Sequence, residues 1–496
     1  MRTLSLGTAA ILAGTTAMAQ DIAQADNEWF TAAQARVQAE LGKTQNTNTA
    51  KNVILMISDG NGVGSNYVTR LFMGQQEGGL GDDYVIHFED YPNLALVKTY
   101  NVNSQTPDSA GTGTAMMAGV KTNIGIIGVN SNVVRGDCST LPGNTVTAIS
   151  EVGDAMGKSV GAISTARITH ATPASMYAKT VDRNFEASVP EGCDTQTDIA
   201  SQLIEAMRSG LIDIAMGGGR RNFYGEDMET EEGGRGRRAA GENLVQVATE
   251  ELGAHYAWNM ETFEAAPLDG ETPILGLFEN SHMQYEADRG DEPSLAEMTA
   301  AAIEHLSQNE NGFVLMVEAG RVDHANHATN AARMVRDGAA FAEAVAMADE
   351  MTNDEDTLIV VTADHEHAIA MNGYCGRGSP VLGLCMQADN AGVEHTGEPI
   401  LANDGKPYTV IGYLNGASSV LLEQPGGEYF GSRPNVTNEQ AQDIDYVQQA
   451  LIPLSSETHS GEDVAVYAKG PFAHLYDGTI EQNVVFHVMH HAMTAE

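Results

Sequence analysis

Basic side chains are scarce in this chain of 496 residues: 26 lysines and arginines stand against 67 aspartates and glutamates, a formal net charge of −41. No lysine occurs between Lys179 and Lys406. A chain so poor in cations is not built to bind nucleic acid. The acids are spread along the sequence rather than gathered in a tail, so they read as a solvated surface suited to high salt. Long apolar runs are also missing. After the first twenty residues none approaches the roughly 18 needed to cross a bilayer, which excludes a membrane span. Cysteine is limited to four, with no C-x-x-C and no cysteine-rich knuckle, so a metal site here must use oxygen and imidazole. Internal repeats and long low-complexity segments are absent.

What is present begins with "MRTLSLGTAAILAGTTAMAQ", one basic residue followed by an uncharged stretch, with Ala17 and Ala19 around Met18. This reads as a secretory signal peptide over residues 1–19, which places the mature product in the periplasm or outside the cell. Export makes the cysteines potential disulfides. Of the three possible pairings, Cys138 with Cys193 and Cys375 with Cys385 is the one expected. Residues 20–51 are polar and partly helical by pattern.

The first clear strand is "NVILMISDGNGVG", residues 52–64, a β-branched apolar run that ends in Ser58, Asp59 and Gly60. Continuous apolar runs mark strands buried on both faces, and ligands bind beyond the carboxyl ends of such strands. The design recurs at residues 159–174, 211–220, 312–327, 356–367 and 462–471, with helical segments between. The clearest helix is 328–351, where Ala331, Val335, Ala339, Ala342, Val345 and Ala346 recur at helical spacing. The alternation predicts an α/β fold, a doubly wound, mostly parallel sheet with helices on both faces. Two stretches fit poorly: residues 220–242 read as a mobile charged loop, and residues 372–458 as an inserted subdomain.

Four strand ends carry potential metal ligands. "SDG" supplies Asp59, "VEAGRVDHANH" supplies Glu318, Asp323, His324 and His327, "TADHEH" supplies Asp364, His365, Glu366 and His367, and "THSGEDV" supplies His459. A lone histidine or aspartate after a strand is usually a cap or a turn residue; four such ends together point to a metal centre. Mixed carboxylate and imidazole suit zinc, and an all-oxygen set suits magnesium. Asp323 and His327 are four apart, so a helical turn points both to one side. A turn rarely lets every histidine of a cluster reach one ion, so His324 and His367 are weaker candidates than His327 and His365.

The segment "QTPDSAGTGTAMMAG", residues 105–119, places Ser109 beside Asp108 and ahead of Ala110, Gly111 and Thr112. A serine hydroxyl is a weak nucleophile near neutral pH, and no G-x-S-x-G elbow is present to activate it. Coordination to a metal would lower its pKa without a histidine base. The small residues would then open a helix whose N–H groups face an anion. Asp108 either caps that helix or orients a basic side chain.

Taken in order, "SDGNG", "TPDSAGTGTAMMAGVKT", "THATPASMYAKTVDRN", "VEAGRVDHANH", "VTADHEH" and "ETHSGEDVAVYAKGP" resemble the alkaline phosphatase family over about residues 52–471. The resemblance implies a phosphomonoesterase working at alkaline pH through a phosphoserine intermediate, with a catalytic domain over 20–496 and a crown-like insertion. It makes Ser109 the nucleophile and Arg183 the clamp on the phosphate oxygens. It gives one zinc to Asp323, His327 and His459, a second to Asp59, Asp364 and His365, and one magnesium to Thr172, Glu318 and Asp59, which bridges. His170 and His324 are expected to touch phosphate or the magnesium shell through water, and a homodimer is the implied assembly.

Three other readings remain at this level. A phosphodiesterase of the same superfamily would usually offer a threonine nucleophile, and a sulfatase would need a C/S-x-P-x-R context that "DSAGT" lacks. A non-enzymatic acidic cation-binding envelope protein would need neither Ser109 nor Arg183.

Overall fold

The computed structural model describes residues 22–390, 392 and 394–495; the expected signal peptide lies outside them. The chain divides into two compact units, up to Gln45 and from Asn46 onward. In the first, the helix Glu28–Leu41 is capped by Asn27, whose side chain accepts the N–H of Trp29.

In the second unit, β1 (Asn52–Ser58), β2 (Asn93–Lys98), β3 (Ser159–Arg167), β4 (Ile214–Gly218), β5 (His255–Ala257), β6 (Ile274–Leu277), β7 (Phe313–Ala319) and β8 (Thr357–Thr362) join Val464–Lys469 and Gly478–Glu481 in one ten-stranded sheet. The order across the sheet is Gly478–Glu481, β2, Val464–Lys469, β8, β1, β7, β3, β4, β6, β5. Neighbours from β8 to β5 are parallel, as the sequence predicts. The strand Val464–Lys469 differs: it pairs antiparallel with both β8 and β2. Its amino end therefore meets the edge where β1, β7 and β8 end.

The apolar runs are continuous because both faces of the sheet are covered. On β1, Val53, Leu55 and Ile57 pack on one side with the helices Ile199–Ser209 and Val484–Thr494. Ile54 and Met56 pack on the other with Val63–Gln76, Leu295–Leu306 and Ala331–Glu350. Alternate residues of each central strand thus enter different cores, which is the doubly wound arrangement. The expected helix over 328–351 starts three residues later because Asn330 caps it, accepting the N–H of Arg333.

Residues 220–242 correct the sequence reading of a mobile loop. Arg220 is fully buried and donates to the carbonyls of Leu277, Trp258 and Phe278 and to Glu232. Arg238 forms a two-pronged pair with Asp198, at 2.7 and 3.1 Å. The charge run that suggested a solvated loop is what fastens it down.

Within the stretch read as an insertion, Ile411–Gly416 pairs with Ile369–Met371 and Ala450–Pro453 in a separate three-stranded sheet. Glu366–His367 pairs antiparallel with His459–Ser460, so the two ends of this stretch lie side by side. The disulfides Cys138–Cys193 and Cys375–Cys385 form as expected. Among the described residues no helix is long and apolar enough to cross a membrane.

Candidate active site

Ser109 opens the helix Ser109–Ala118, and Asp108 is its N-cap. The Asp108 carboxylate does both tasks considered for it. One oxygen accepts N–H groups from Gly111 and Asn101, at 3.1 and 3.0 Å; the other accepts from Gly125 at 3.0 Å and Arg183 at 2.9 Å. Burial works to raise its pKa, yet the Arg183 charge and these donors hold it below the ordinary aspartate value. Gly111 is small because Asn101 lies against it: an added Cβ would sit 2.5 Å from the Asn101 amide. The seryl Oγ lies 3.4 Å from His365 Nε2.

Two histidines show how the centre is oriented. The Nδ1–H of His327 donates to the carbonyl of Glu457 at 2.7 Å, and that of His459 to the carbonyl of Pro107 at 2.9 Å. These bonds fix the tautomer, so both Nε2 lone pairs point inward, 3.1 Å apart and 3.3 to 3.4 Å from Asp323 Oδ1. Two lone pairs and a carboxylate oxygen facing one point repel each other unless a cation lies between them.

His365 is fully buried, with Nε2 at 3.4 Å from Asp59 and 3.3 Å from Asp364. Burial and the neighbouring His459 push its pKa well below the ordinary histidine value, so the ring is neutral and keeps a lone pair. Both oxygens of Asp59, Oε1 of Glu318 and Oγ1 of Thr172 are buried with no protein hydrogen-bond partner. Burial, then the charges of Asp364, Asp323 and Glu318, push the Asp59 carboxyl well above its usual range. Burial pushes Glu318 up to about 7 although Ser164 donates to it. Orphaned carboxylate oxygens in such number fit metal ions. Three sets have ligand atoms all within 4.8 Å of one another: Asp323, His327, His367 and His459; Asp59, Asp323 and His365; and Asp59, His170 and Glu318.

Arg183 reaches this centre through Asp108, and its second terminal nitrogen meets His170 Nε2 at 3.1 Å. His324 is partly buried, 4.0 Å from Asp323, with Nδ1 unpartnered. Thr172 is buried in the short helix Ala171–Ala174, immediately after His170. Asp59, Glu318, Asp323, His327, His365 and His459 thus come together at one edge of the sheet, with Asp323 rather than Asp364 grouped with Asp59 and His365, and His170 grouped with Asp59 and Glu318.

Within "TADHEH" the sequence ranks His365 above His367 and leaves the role of His367 open. His367 meets Asp323 through Nε2 at 2.9 Å and Glu457 through Nδ1 at 2.6 Å. Burial opposes its charge, but those two carboxylates push its pKa up to about 10. With a carboxylate at each nitrogen, the ring lies between Glu457 and Asp323 and is placed to hold Asp323. Gly60, at φ +66°, leaves room for that ring: an added Cβ would sit 2.3 Å from His367 Nε2. Glu366 turns away and accepts Gly64 N–H at 3.0 Å and the Ser65 hydroxyl at 2.6 Å, at the start of the helix Val63–Gln76. Glu457, the other anchor of His367, was legible only as part of "ETH".

The carboxylates at this edge outnumber the cationic groups facing them, so the edge is a candidate metal centre on an α/β sheet. Comparison narrows the class. The alkaline phosphatase family model matches residues 50–495, and the chain belongs to that family. It is 40% identical to alkaline phosphatase of Gadus morhua over 468 residues, 91% of this chain and 93% of that protein. It is 40% identical to the tissue-nonspecific isozyme of Homo sapiens over 466 residues, 90% and 84% of the two chains. Among solved structures, alkaline phosphatase of Thermus thermophilus shares the fold at a TM-score of 0.63 and 22% identity, covering 92% of this chain and 94% of that one. The enzyme of the Antarctic bacterium TAB5 gives 0.59 and 22%, covering 90% and 98%.

Proposed function

We propose that the chain is an exported phosphomonoesterase that transfers phosphate first to Ser109 and then to water. The observation that carries this reading is the placement of the Ser109 hydroxyl at a helix N-terminus, 3.4 Å from His365 and beside an arginine anchored by Asp108. The catalytic unit is assigned to residues 20–496 with the insertion at about 372–458, and the assembly to a homodimer.

Zinc suits Asp323, His327 and His459 and, separately, Asp59, Asp364 and His365; magnesium suits Thr172, Glu318 and the other side of Asp59. When bound, such ions lower the pKa of the serine hydroxyl and stabilise the oxygens that attack and leave. Arg183 supplies two parallel donors to the non-bridging phosphate oxygens, and Asp108 keeps its guanidinium from swinging away. Ser109 Oγ, its proton lost to solvent, forms a bond to phosphorus as the ester P–O bond breaks and the alcohol leaves with a proton from water. Water then attacks the phosphoserine, the Oγ–P bond breaks, and inorganic phosphate departs as Ser109 regains its proton. Two in-line displacements give net retention at phosphorus. His170 accepts from Arg183 and so remains neutral beside the phosphate.

The test is release of p-nitrophenol from the monoester, the diester and the sulfate, with zinc and magnesium measured in the same preparation. The monoester should be turned over orders of magnitude faster. Preference for the diester or the sulfate, or no turnover by metal-loaded protein, would overturn the reading.

Replacing His324 by lysine places a permanent cation beside the site. Inhibition by product phosphate should tighten several-fold, with kcat falling because release slows. Weaker phosphate inhibition in that variant would remove His324 from the phosphate pocket.

A net charge of −41 also makes a prediction about salt. Screening shortens the Debye length from about 10 Å at 0.1 M to about 3 Å at 1 M and relieves self-repulsion of the folded state. Melting in sodium and potassium chloride, with zinc and magnesium saturating, should show Tm rising to molar salt with little dependence on the cation. A flat or falling Tm would end the halophilic reading of the surface.

A further inference from the structure

Two imidazoles near the phosphate pocket are accompanied by a third that belongs to no motif. His282 lies in the loop that follows β6, and its ring centroid is 3.9 Å from that of His324 and 5.5 Å from that of His170. The three rings use their nitrogens differently. His170 and His324 each keep a buried Nδ1 without a protein partner. Both nitrogens of His282 face one residue, Nδ1 the backbone N–H of Arg167 at 3.2 Å and Nε2 its guanidinium, and the neutral ring accepts at one of the two. Arg167 is itself locked by Glu186 through two hydrogen bonds of 2.8 and 2.7 Å. Burial, His324 and Arg167 together keep the His282 ring neutral.

The loop that carries this ring is seated with little freedom. Met283 donates its N–H to the carbonyl of Thr165 at 3.1 Å, and Glu279 accepts from Gly219 and Arg220. Gly218, at the end of β4, has no side chain because the loop backbone lies on it: an added Cβ would be 2.2 Å from the carbonyl of Ser281 and 2.9 Å from the nitrogen of Met283. The glycine run "MGGGR" thus makes the bed for His282.

We propose that His282 is a positioning residue of the phosphate pocket: its ring, fixed by Arg167, backs the ring of His324 and sets where His324 meets the bound phosphate. The proposal rests on the phosphomonoesterase reading above. His282 is assigned no contact with metal or phosphate, since both its nitrogens face Arg167.

The test combines kinetics with calorimetric binding of inorganic phosphate to the metal-loaded protein, in the wild type, His282→Ala, His282→Phe, His324→Ala and the double variant His282→Ala with His324→Ala. His282→Ala should raise KM and the phosphate Kd about fivefold or more with kcat changed by less than about threefold and zinc content unchanged. His282→Phe, which keeps a ring against His324, should recover most of the lost affinity. In the His324→Ala background the second substitution should add nothing, because the residue acts through His324. Unchanged phosphate affinity in His282→Ala, or an equal loss with His324 already removed, would overturn the proposal. A wild-type protein that neither hydrolyses monoesters nor binds phosphate would fail earlier, overturning the activity reading and this inference with it.

Discussion

Replacing Ser109 by alanine should lower turnover of p-nitrophenyl phosphate by about three orders of magnitude or more, the loss typical when a covalent route is closed. The substitution removes one oxygen and leaves the carboxylates and imidazoles where they are, so zinc and magnesium content should match the wild type. The helix should also survive, because its cap is Asp108 and not the serine. Wild-type protein quenched in acid during turnover of labelled substrate should carry phosphate on Ser109. Near-full activity in the variant, or no label on Ser109, would sink the nucleophile assignment.

Stripping the metals should have an effect as large. Dialysis against a chelator should abolish activity, and zinc with magnesium should restore it. Full activity in protein shown to be metal-free would remove the mechanism. The stripped protein should also melt lower, since ions that bind only the folded state stabilise it by mass action. The gap should widen with pH. In the stripped protein the folded-state pKa of Glu318 is raised to about 7 from an ordinary 4.5, so its burial is tolerated while it is protonated and costs stability as pH rises through that interval. Loaded protein should lack this loss, because the ions require the ionised carboxylates. Melts of loaded and stripped protein between about pH 5 and pH 8 test the trend, and a gap that narrows with pH would contradict it.

Much of the site can be read from the chain because parallel strands deliver their carboxyl ends to one edge. Asp59, Glu318, Asp364 and His365 follow from that rule alone. His459 does not, since it precedes its strand; it reaches the same edge only because Val464–Lys469 runs antiparallel to β8, and an apolar run carries no mark of direction. The sequence ranks His327 above His367 but cannot show the reason, which is whether the second nitrogen meets the carbonyl of Glu457 or its carboxylate. His282 is a single histidine in a loop after β6, and its relation to His324, which follows β7, exists only in the folded sheet. The charged stretch 220–242 misled for a related reason. Composition counts charges, whereas Arg220 and Arg238 matter through the carbonyls and the carboxylate that surround them.

The antiparallel strand also imposes an order of events. Asp323, His327, Asp364 and His365 are all made before the chain reaches His459, yet the inward-facing pair of His327 and His459 cannot exist until Val464–Lys469 has slotted between β2 and β8. A chain clipped before His459 therefore lacks one of these inward-facing imidazoles however well its earlier strands have folded. A site that uses both His327 and His459 is complete only with Val464–Lys469 in place, and the edge strand Gly478–Glu481, later in the chain, adds nothing to that pair.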